Sequence, residues 1–301
     1  MKVTNSLQGW FTLKVHKGDA EQPSQVASFE NLITNSGLDR IGQGSFMTRC
    51  LVGTGNTPPD VLQTTLASLV ASVSSMTTNY TATTLPPYYG TFIRKYRFNP
   101  GVATGNLTEV GVGWVAAGGL TAVFSRALIK DINGDPTTLT ILPDEFLDVT
   151  YELRVYPTVT DVVVPGTTFT GFNSNVTIRP SFIADGNMLA YLDDAASLAV
   201  FGPTVYSGSI GPITGTPSGT SEFVSSASSN VRHSPYVVGS YKQVATLIVP
   251  LDKGNFAGGI GAIRIATTLG YYQVGFTPPV VKNATQQLIL NLELTWGRYA
   301  P

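Results

Sequence analysis

The sequence predicts an all-β protein: two tandem β-sandwich-like domains, residues 1–157 and 158–301, related by internal duplication and carrying only short helices. Three observations predict it. The composition is low in charge and rich in turn residues, two closing segments alternate strictly, and the chain resembles itself at one held offset.

The chain has 301 residues, enough for two domains of common size. Hydrophobic residues make up 43% and charged residues 12%, about half the usual charged share. Glycine (31) and proline (19) punctuate the chain, as many strands joined by turns require. Plentiful aromatic and β-branched residues argue against disorder. A surface of Thr, Ser, Asn and Gly suits packing against neighbouring subunits.

The repeat shows in fixed landmarks. Pro87-Tyr88-Tyr89-Gly90-Thr91-Phe92 is echoed by Pro235-Tyr236-Val237-Val238-Gly239-Ser240-Tyr241. Each precedes a basic residue, Lys95 or Lys242, and an apolar stretch ending at Pro100 or Pro250. Gly105-Asn106 then answers to Gly254-Asn255, and Gly111-Val112-Gly113-Trp114 to Gly259-Ile260-Gly261-Ala262. The offset is 148 from Tyr88 to Tyr236, 149 from Asn106 to Asn255 and 148 from Gly113 to Gly261. A spacing held this well marks a repeated structural unit. The beginnings pair more weakly, residues 9–15 with 171–179, and the boundary falls near residues 158–166.

The copies close on their clearest strands. Leu147, Val149, Tyr151, Leu153 and Val155 share one face, opposite Asp148, Thr150, Glu152 and Arg154. In the second copy Leu288, Leu290, Leu292, Leu294 and Trp296 alternate with Ile289, Asn291, Glu293 and Thr295. A period of two is that of a half-buried strand. Further strands are expected at residues 11–16, 91–98, 120–130, 137–142, 244–249, 261–266 and 271–276. Asn133-Gly134 predicts a hairpin turn between two of these, because both residues tolerate positive φ. Ala117-Gly118-Gly119 predicts a second turn.

Helix is expected in three short pieces. Asn35 or Ser36 caps one running through Leu38, Asp39, Arg40 and Ile41. Thr57-Pro58-Pro59-Asp60 opens another, with Leu62, Leu66, Leu69, Val70 and Val73 on one face. The third covers residues 188–198. Residues 202–229, rich in Gly, Ser, Thr and Pro without periodicity, predict a long loop that contacts a partner.

No arrangement of reactive residues points to catalysis, a cofactor or a metal. His16 and His233 stand at unrelated points, neither near a second ligand at a zinc spacing. Cys50 is the sole cysteine, which excludes an intrachain disulfide, and a buried thiol accounts for it better than a nucleophile paired with a histidine. Gly53-Thr54-Gly55-Asn56 lacks the Gly-Lys-Ser/Thr of a phosphate loop, and there is no G-x-S-x-G. Asp131-Ile132-Asn133-Gly134-Asp135 departs from a calcium loop at its glycine and at Leu142, and reads as a turn. Asp144, Glu145 and Asp148 could serve a glycosidase, but sit at a strand entrance. Asp193-Asp194 reads as a solvated helix face.

Net charge is −1, with no basic tract, so nucleic acid is not an expected partner. No run approaches the roughly 20 apolar residues of a membrane helix. The opening MKVTNSLQGWFTLKV lacks the build of a signal peptide, so synthesis in a cytoplasm is expected, and the sequons at Asn79, Asn106, Asn175 and Asn283 carry little meaning.

The run Phe29-Glu30-Asn31-Leu32-Ile33-Thr34-Asn35-Ser36-Gly37-Leu38-Asp39-Arg40-Ile41, followed by Val52-Gly53-Thr54-Gly55-Asn56-Thr57-Pro58-Pro59, resembles virion structural proteins of tailed bacteriophages. Similar stretches occur in proteins described as tail, fibre or collar components. The likeness is clear over residues 29–156 and fainter beyond. It implies assembly with other virion proteins, no catalysis, and a host cytoplasm as the place of synthesis. Phage tails are organised around threefold and sixfold axes, so it also implies a cyclic homo-oligomer, a trimer before a hexamer. The alternative is a receptor- or carbohydrate-binding module on the virion. That role needs exposed aromatic platforms, for which Tyr88, Tyr89, Tyr271 and Tyr272 are the candidates, although adjacent residues in a strand place one ring inward. A depolymerase using Asp144 or Asp148 is the third reading.

Overall fold

The computed structural model describes residues 1–18, 22–169, 171–192 and 200–300. The fold is predominantly β, with one α-helix, Asn35–Ile41, among the described residues. Two compact units divide the chain. One holds Leu7–Asn79, Thr91–Arg154 and Arg298–Pro301; the other holds Met1–Ser6, Tyr80–Gly90 and Val155–Gly297. The bulk of each lies on one side of residue 155. A single cut does not separate them, because the long strands Lys2–His16, Phe146–Pro157 and Leu288–Arg298 each contribute residues to both units.

In the amino-side unit one sheet runs in the order Leu32–Ile33, Thr121–Leu128, Glu109–Val115, Arg49–Gly53, Leu69–Ser74. The other runs Thr77–Ala82, Gly90–Phe98, Phe146–Pro157, Lys2–His16, and Gln25–Glu30 pairs with the last of these. The alternation read in Phe146–Pro157 is realised: Leu147, Val149, Tyr151, Leu153 and Val155 are fully buried. Aromatic rings fill the space between the sheets. Phe11 lies 4.9 Å from Tyr151, and Phe124, on the facing sheet, meets Tyr151 edge-on at 6.4 Å. The Ser125 hydroxyl donates to the Tyr151 oxygen at 3.1 Å, so the polar end of that buried ring is satisfied.

In the carboxyl-side unit one sheet runs Val162–Phe169, Phe172–Ser181, Gly270–Val280, Ile260–Thr267, Thr204–Tyr206, Ser221–Phe223. The other runs Val231–His233, Lys242–Val249, Leu288–Arg298, and the Glu293 amide donates to Met1 O at 2.8 Å on the far side. Leu288, Leu290, Leu292, Leu294 and Trp296 are buried, as their alternation predicts. Tyr272 is buried and its hydroxyl donates to Asn5 Oδ1 at 2.5 Å.

The two units share part of one strand order, although Val162–Phe169 has no counterpart, and the weak pairing of residues 9–15 with 171–179 fails because Lys2–His16 and Phe172–Ser181 lie in different, non-equivalent sheets. The hairpin Glu109–Val115/Thr121–Leu128 occupies the place of Ile260–Thr267/Gly270–Val280. Arg49–Gly53 followed by Leu69–Ser74 at one flank answers to Thr204–Tyr206 followed by Ser221–Phe223. In the other sheets Phe146–Pro157 and Leu288–Arg298 hold equivalent places, beside Gly90–Phe98 and Lys242–Val249 respectively.

Several expectations need correction. The helix expected from Thr57 to Val73 is absent: residues 57–68 form turns, and Leu69–Ser74 is a strand. Of its supposed apolar face only Leu66 is buried, while Leu62, Leu69 and Val70 are exposed. The helix at Asn35–Ile41 forms, but Thr34 caps it, its hydroxyl accepting from the Gly37 amide at 3.0 Å. The Asn133-Gly134 turn forms, with Gly134 at φ 88°, and closes a short antiparallel hairpin through the Lys130–Pro136 bridge and the Thr137 amide, which donates to Ile129 O at 2.9 Å, although it does not join the two longer strands. The strands on its two sides pair elsewhere, Thr121–Leu128 with Glu109–Val115 and Leu139–Ile141 with Gly105–Leu107. Ala117–Gly119 does join a hairpin. Residues 202–229 are not a featureless loop, since Thr204–Tyr206 and Ser221–Phe223 pair within them. A 3-10 turn, Gly186–Leu192, stands where helix was expected; residues 193–198, with Asp193-Asp194, lie outside the described residues.

Candidate functional site

The residues that could carry chemistry are each held separately. Cys50 is fully buried in the strand Arg49–Gly53, and burial pushes its thiol well above its ordinary pKa. Both histidines have other partners. His16 stacks on Phe146 at 5.3 Å, with Nδ1 2.5 Å from Gly18 O and Nε2 3.3 Å from Asp148. His233 Nε2 lies 2.9 Å from the Val200 amide nitrogen. The carboxylates are likewise dispersed. Asp144 pairs at the surface with Lys17 at 2.8 Å, and Glu145 turns back to accept from the Leu142 amide at 2.8 Å. Asp148 accepts a two-pronged bond from Arg97 at 2.7 and 2.8 Å. Burial works to raise the Asp148 pKa, but Arg97 and then His16 outweigh it and hold the carboxyl low. Such a group stays ionised at neutral pH and has no proton to give as a general acid. Asp148 lies beside a 310 Å³ cavity lined by Lys14, Thr77, Lys95, Arg97 and Thr150.

Asp131 Oδ1 accepts from the amides of Asn133 and Asp135, at 2.9 and 3.0 Å, which makes its loop a side-chain-closed turn. Among the described residues no group of three or more His, Cys, Asp or Glu could hold a metal ion, and no helix is long and apolar enough to cross a membrane.

The polar cluster that does come together was not singled out from sequence. Arg126 and Glu109 are both fully buried on paired strands. Gly111 is the ladder partner of Arg126, and Glu109, two residues along, shares its face. Arg126 Nε donates to Glu109 at 2.7 Å, while its other nitrogens donate to Gln63 Oε1 at 2.7 Å and Thr57 O at 2.8 Å. Glu109 also accepts from the amides of Gly55, Ala67 and Ser68 at 3.0, 3.1 and 2.7 Å. Burial would raise the Glu109 pKa. The amides of Ser68 and Ala67, with Arg126, overcome that and hold the carboxyl below its ordinary 4.5. The pair therefore clamps residues 54–68 to the sheet.

This clamp explains the run Val52-Gly53-Thr54-Gly55-Asn56-Thr57-Pro58-Pro59. A Cβ at Gly53 or Gly55 would run into Glu109 Oε1. The earlier run is structural as well. Thr34 caps the helix, Asn35 accepts from Arg298 at 2.6 Å, and a Cβ at Gly37 would strike the carbonyl of Phe124. The Arg40 guanidinium lies 5.2 Å from the Trp114 ring centroid.

No protein-family model, curated protein or solved structure matches this chain. The two runs have physical roles of their own within this fold, capping the helix and holding residues 54–68. Burial of an ion pair has no local periodic signal, so Arg126 and Glu109 read in sequence as ordinary strand charges. Of the candidate tyrosines, Tyr272 is buried and Tyr89 packs 5.0 Å from Tyr156, whereas Tyr271 stays half-exposed on the outer face of its sheet.

Proposed function

We propose that this chain is a non-enzymatic structural protein of a tailed-bacteriophage virion, an assembly component of the tail, collar or fibre attachment region. It works as a cyclic homo-oligomer, a trimer before a hexamer, packed against other virion proteins. The observation that carries this is an apolar sheet edge. Val162–Phe169 is the end strand of its sheet among the described residues, and Val162 and Val163 are 39% and 61% exposed there. Proteins that stay alone guard such an edge with charges, prolines or bulges. Pro165 and the register shift between Val164 and Thr167 guard the later part of this strand, but the valines before them carry no charge. Exposed Leu62, Leu85, Leu120, Val237 and Val238 add apolar loop residues that a neighbour would cover. The phage resemblance of residues 29–59 supplies the context, and the partly shared strand order supports descent of the two units from one duplicated domain.

Antibody labelling of virions in the electron microscope, with light scattering on purified protein, tests the assignment. A monomer both in solution and in the particle would overturn it. Val163→Lys places a charge on the edge and is expected to shift the oligomer towards monomer without lowering the melting temperature.

A second reading, a receptor- or carbohydrate-binding module on the virion, is favoured by one observation. Tyr271 lines a groove beside the exposed ring of Phe223.

A further inference from the structure

Phe223, Thr204 and Arg264 are successive ladder partners across three strands of the carboxyl-side unit, so their side chains share one sheet face. Ala266 lies two residues beyond Arg264 on that face, and its ladder partner is Tyr271. Together these residues line a 250 Å³ groove with a small floor, Thr204 and Ala266, between aromatic walls. Phe223 is 60% exposed, far more than a ring with a neighbour to cover it.

Arg264 is the unusual member. Its guanidinium lies 4.1 Å from the centroid of Tyr271 and 5.1 Å from that of Phe182. These rings hold the cation in place on the wall of the groove that it lines. Nε is buried without a hydrogen-bond partner, and no acidic side chain pairs with the group among the described residues. A desolvated, unpaired donor is costly in a folded protein unless a ligand satisfies it. A guanidinium fits a carboxylate, to which it can present two parallel N–H groups.

We infer that this groove binds an acidic saccharide of the hexuronic acid class, with the sugar carboxylate on Arg264 and the C–H face of the ring on Phe223. This rests on the carbohydrate-module reading and names its ligand. The two anchors lie two inter-strand spacings apart, about 10 Å between Cα atoms, which leaves room for one pyranose ring between them. A neutral sugar would stack on Phe223 yet leave the guanidinium unpaired.

Nuclear magnetic resonance titration of the whole chain with methyl glucuronide, methyl glucoside and acetate tests this. The glucuronide is expected to bind about tenfold more tightly than the glucoside, the scale of one charge-assisted pair. Arg264→Gln is expected to bring the glucuronide down to the glucoside's affinity, and Phe223→Ala to weaken both sugars alike. Arg264→Lys, which keeps the charge without the fork, should fall between. An unchanged thermal midpoint in each variant shows that the fold is intact. Equal affinity for glucuronide and glucoside overturns the acidic class and leaves the carbohydrate module standing. Binding of neither sugar overturns both. Acetate binding as tightly as the glucuronide makes the site a simple anion site and overturns the saccharide assignment.

Discussion

Each unit buries a cation near the end of its hairpin's return strand, and the two cations do different work. In the amino-side unit Arg126 faces Glu109 and the two close over residues 54–68. In the carboxyl-side unit Lys282, just past Gly270–Val280, donates to Pro250 O at 3.1 Å, Lys253 O at 2.5 Å and Asn255 Oδ1 at 2.8 Å. Both solve one problem: a turn packed against a sheet has carbonyls that no ladder satisfies. The lysine ammonium takes the carbonyls of its turn, while the Glu222 carboxylate accepts from the Gly254 amide there at 2.8 Å. In the longer segment one carboxylate, Glu109, takes the three amides and also meets its arginine directly. The two clamps therefore differ in whether cation and anion pair with each other or each hold the backbone separately.

The largest expected effect falls on a core strand of the carboxyl-side unit. Leu290→Asp places an unpaired charge on the buried face of Leu288–Arg298, at a cost of several kcal/mol. Loss of the folded circular dichroism signal is expected, and an unchanged melting temperature would reverse the assignment of that strand's faces. Next comes Arg126→Met, which leaves Glu109 buried without its counter-charge. The expected loss is about 3–5 kcal/mol in denaturant unfolding. Lys282→Met leaves only carbonyls unsatisfied and is expected to cost less, about 1–3 kcal/mol. If the two losses were equal, the carboxylate would add nothing and the distinction between the clamps would fail.

The same contrast explains what could be read from the sequence. Phe146–Pro157 and Leu288–Arg298 were legible because each buries one face, so every second residue must be apolar. Residues 57–73 were misread because Leu62, Leu66, Leu69, Val70 and Val73 happen to fall at helical spacing. Their backbone is instead set by Glu109 and Arg126, far along the chain, and no local pattern reports that. In residues 202–229 the strands are three residues long, too short to display alternation. The glycines there signal close backbone approach, not looseness: a Cβ at Gly208 would lie 2.6 Å from Ser218 O. The groove was half visible. Tyr271 was a candidate from its position in a tyrosine pair, but Arg264 and Phe223 meet only through ladder register, which the sequence does not display.

The smallest expected effect is the response of the Glu109 clamp to acid. Glu109 has a folded pKa held below 4.5, so its contribution to stability is fully present above that value. It is lost as pH falls through the folded value, because the protonated carboxyl no longer pairs with Arg126 and accepts more weakly from the amides. The Gly55, Ala67 and Ser68 amides should therefore lose hydrogen-exchange protection below pH 4.5, ahead of the strand amides of Leu288–Arg298. The Lys282 ammonium itself contacts carbonyl oxygens, of the backbone and of Asn255, and in its turn only the Gly254 amide is held by a carboxylate, that of Glu222. In the double variant Arg126→Met/Glu109→Gln the acid-sensitive step should disappear, since neither charge is left to titrate. Persistence of the step in the double variant would assign the acid response to another carboxylate, and the clamp would then owe its stability to packing and neutral hydrogen bonds alone.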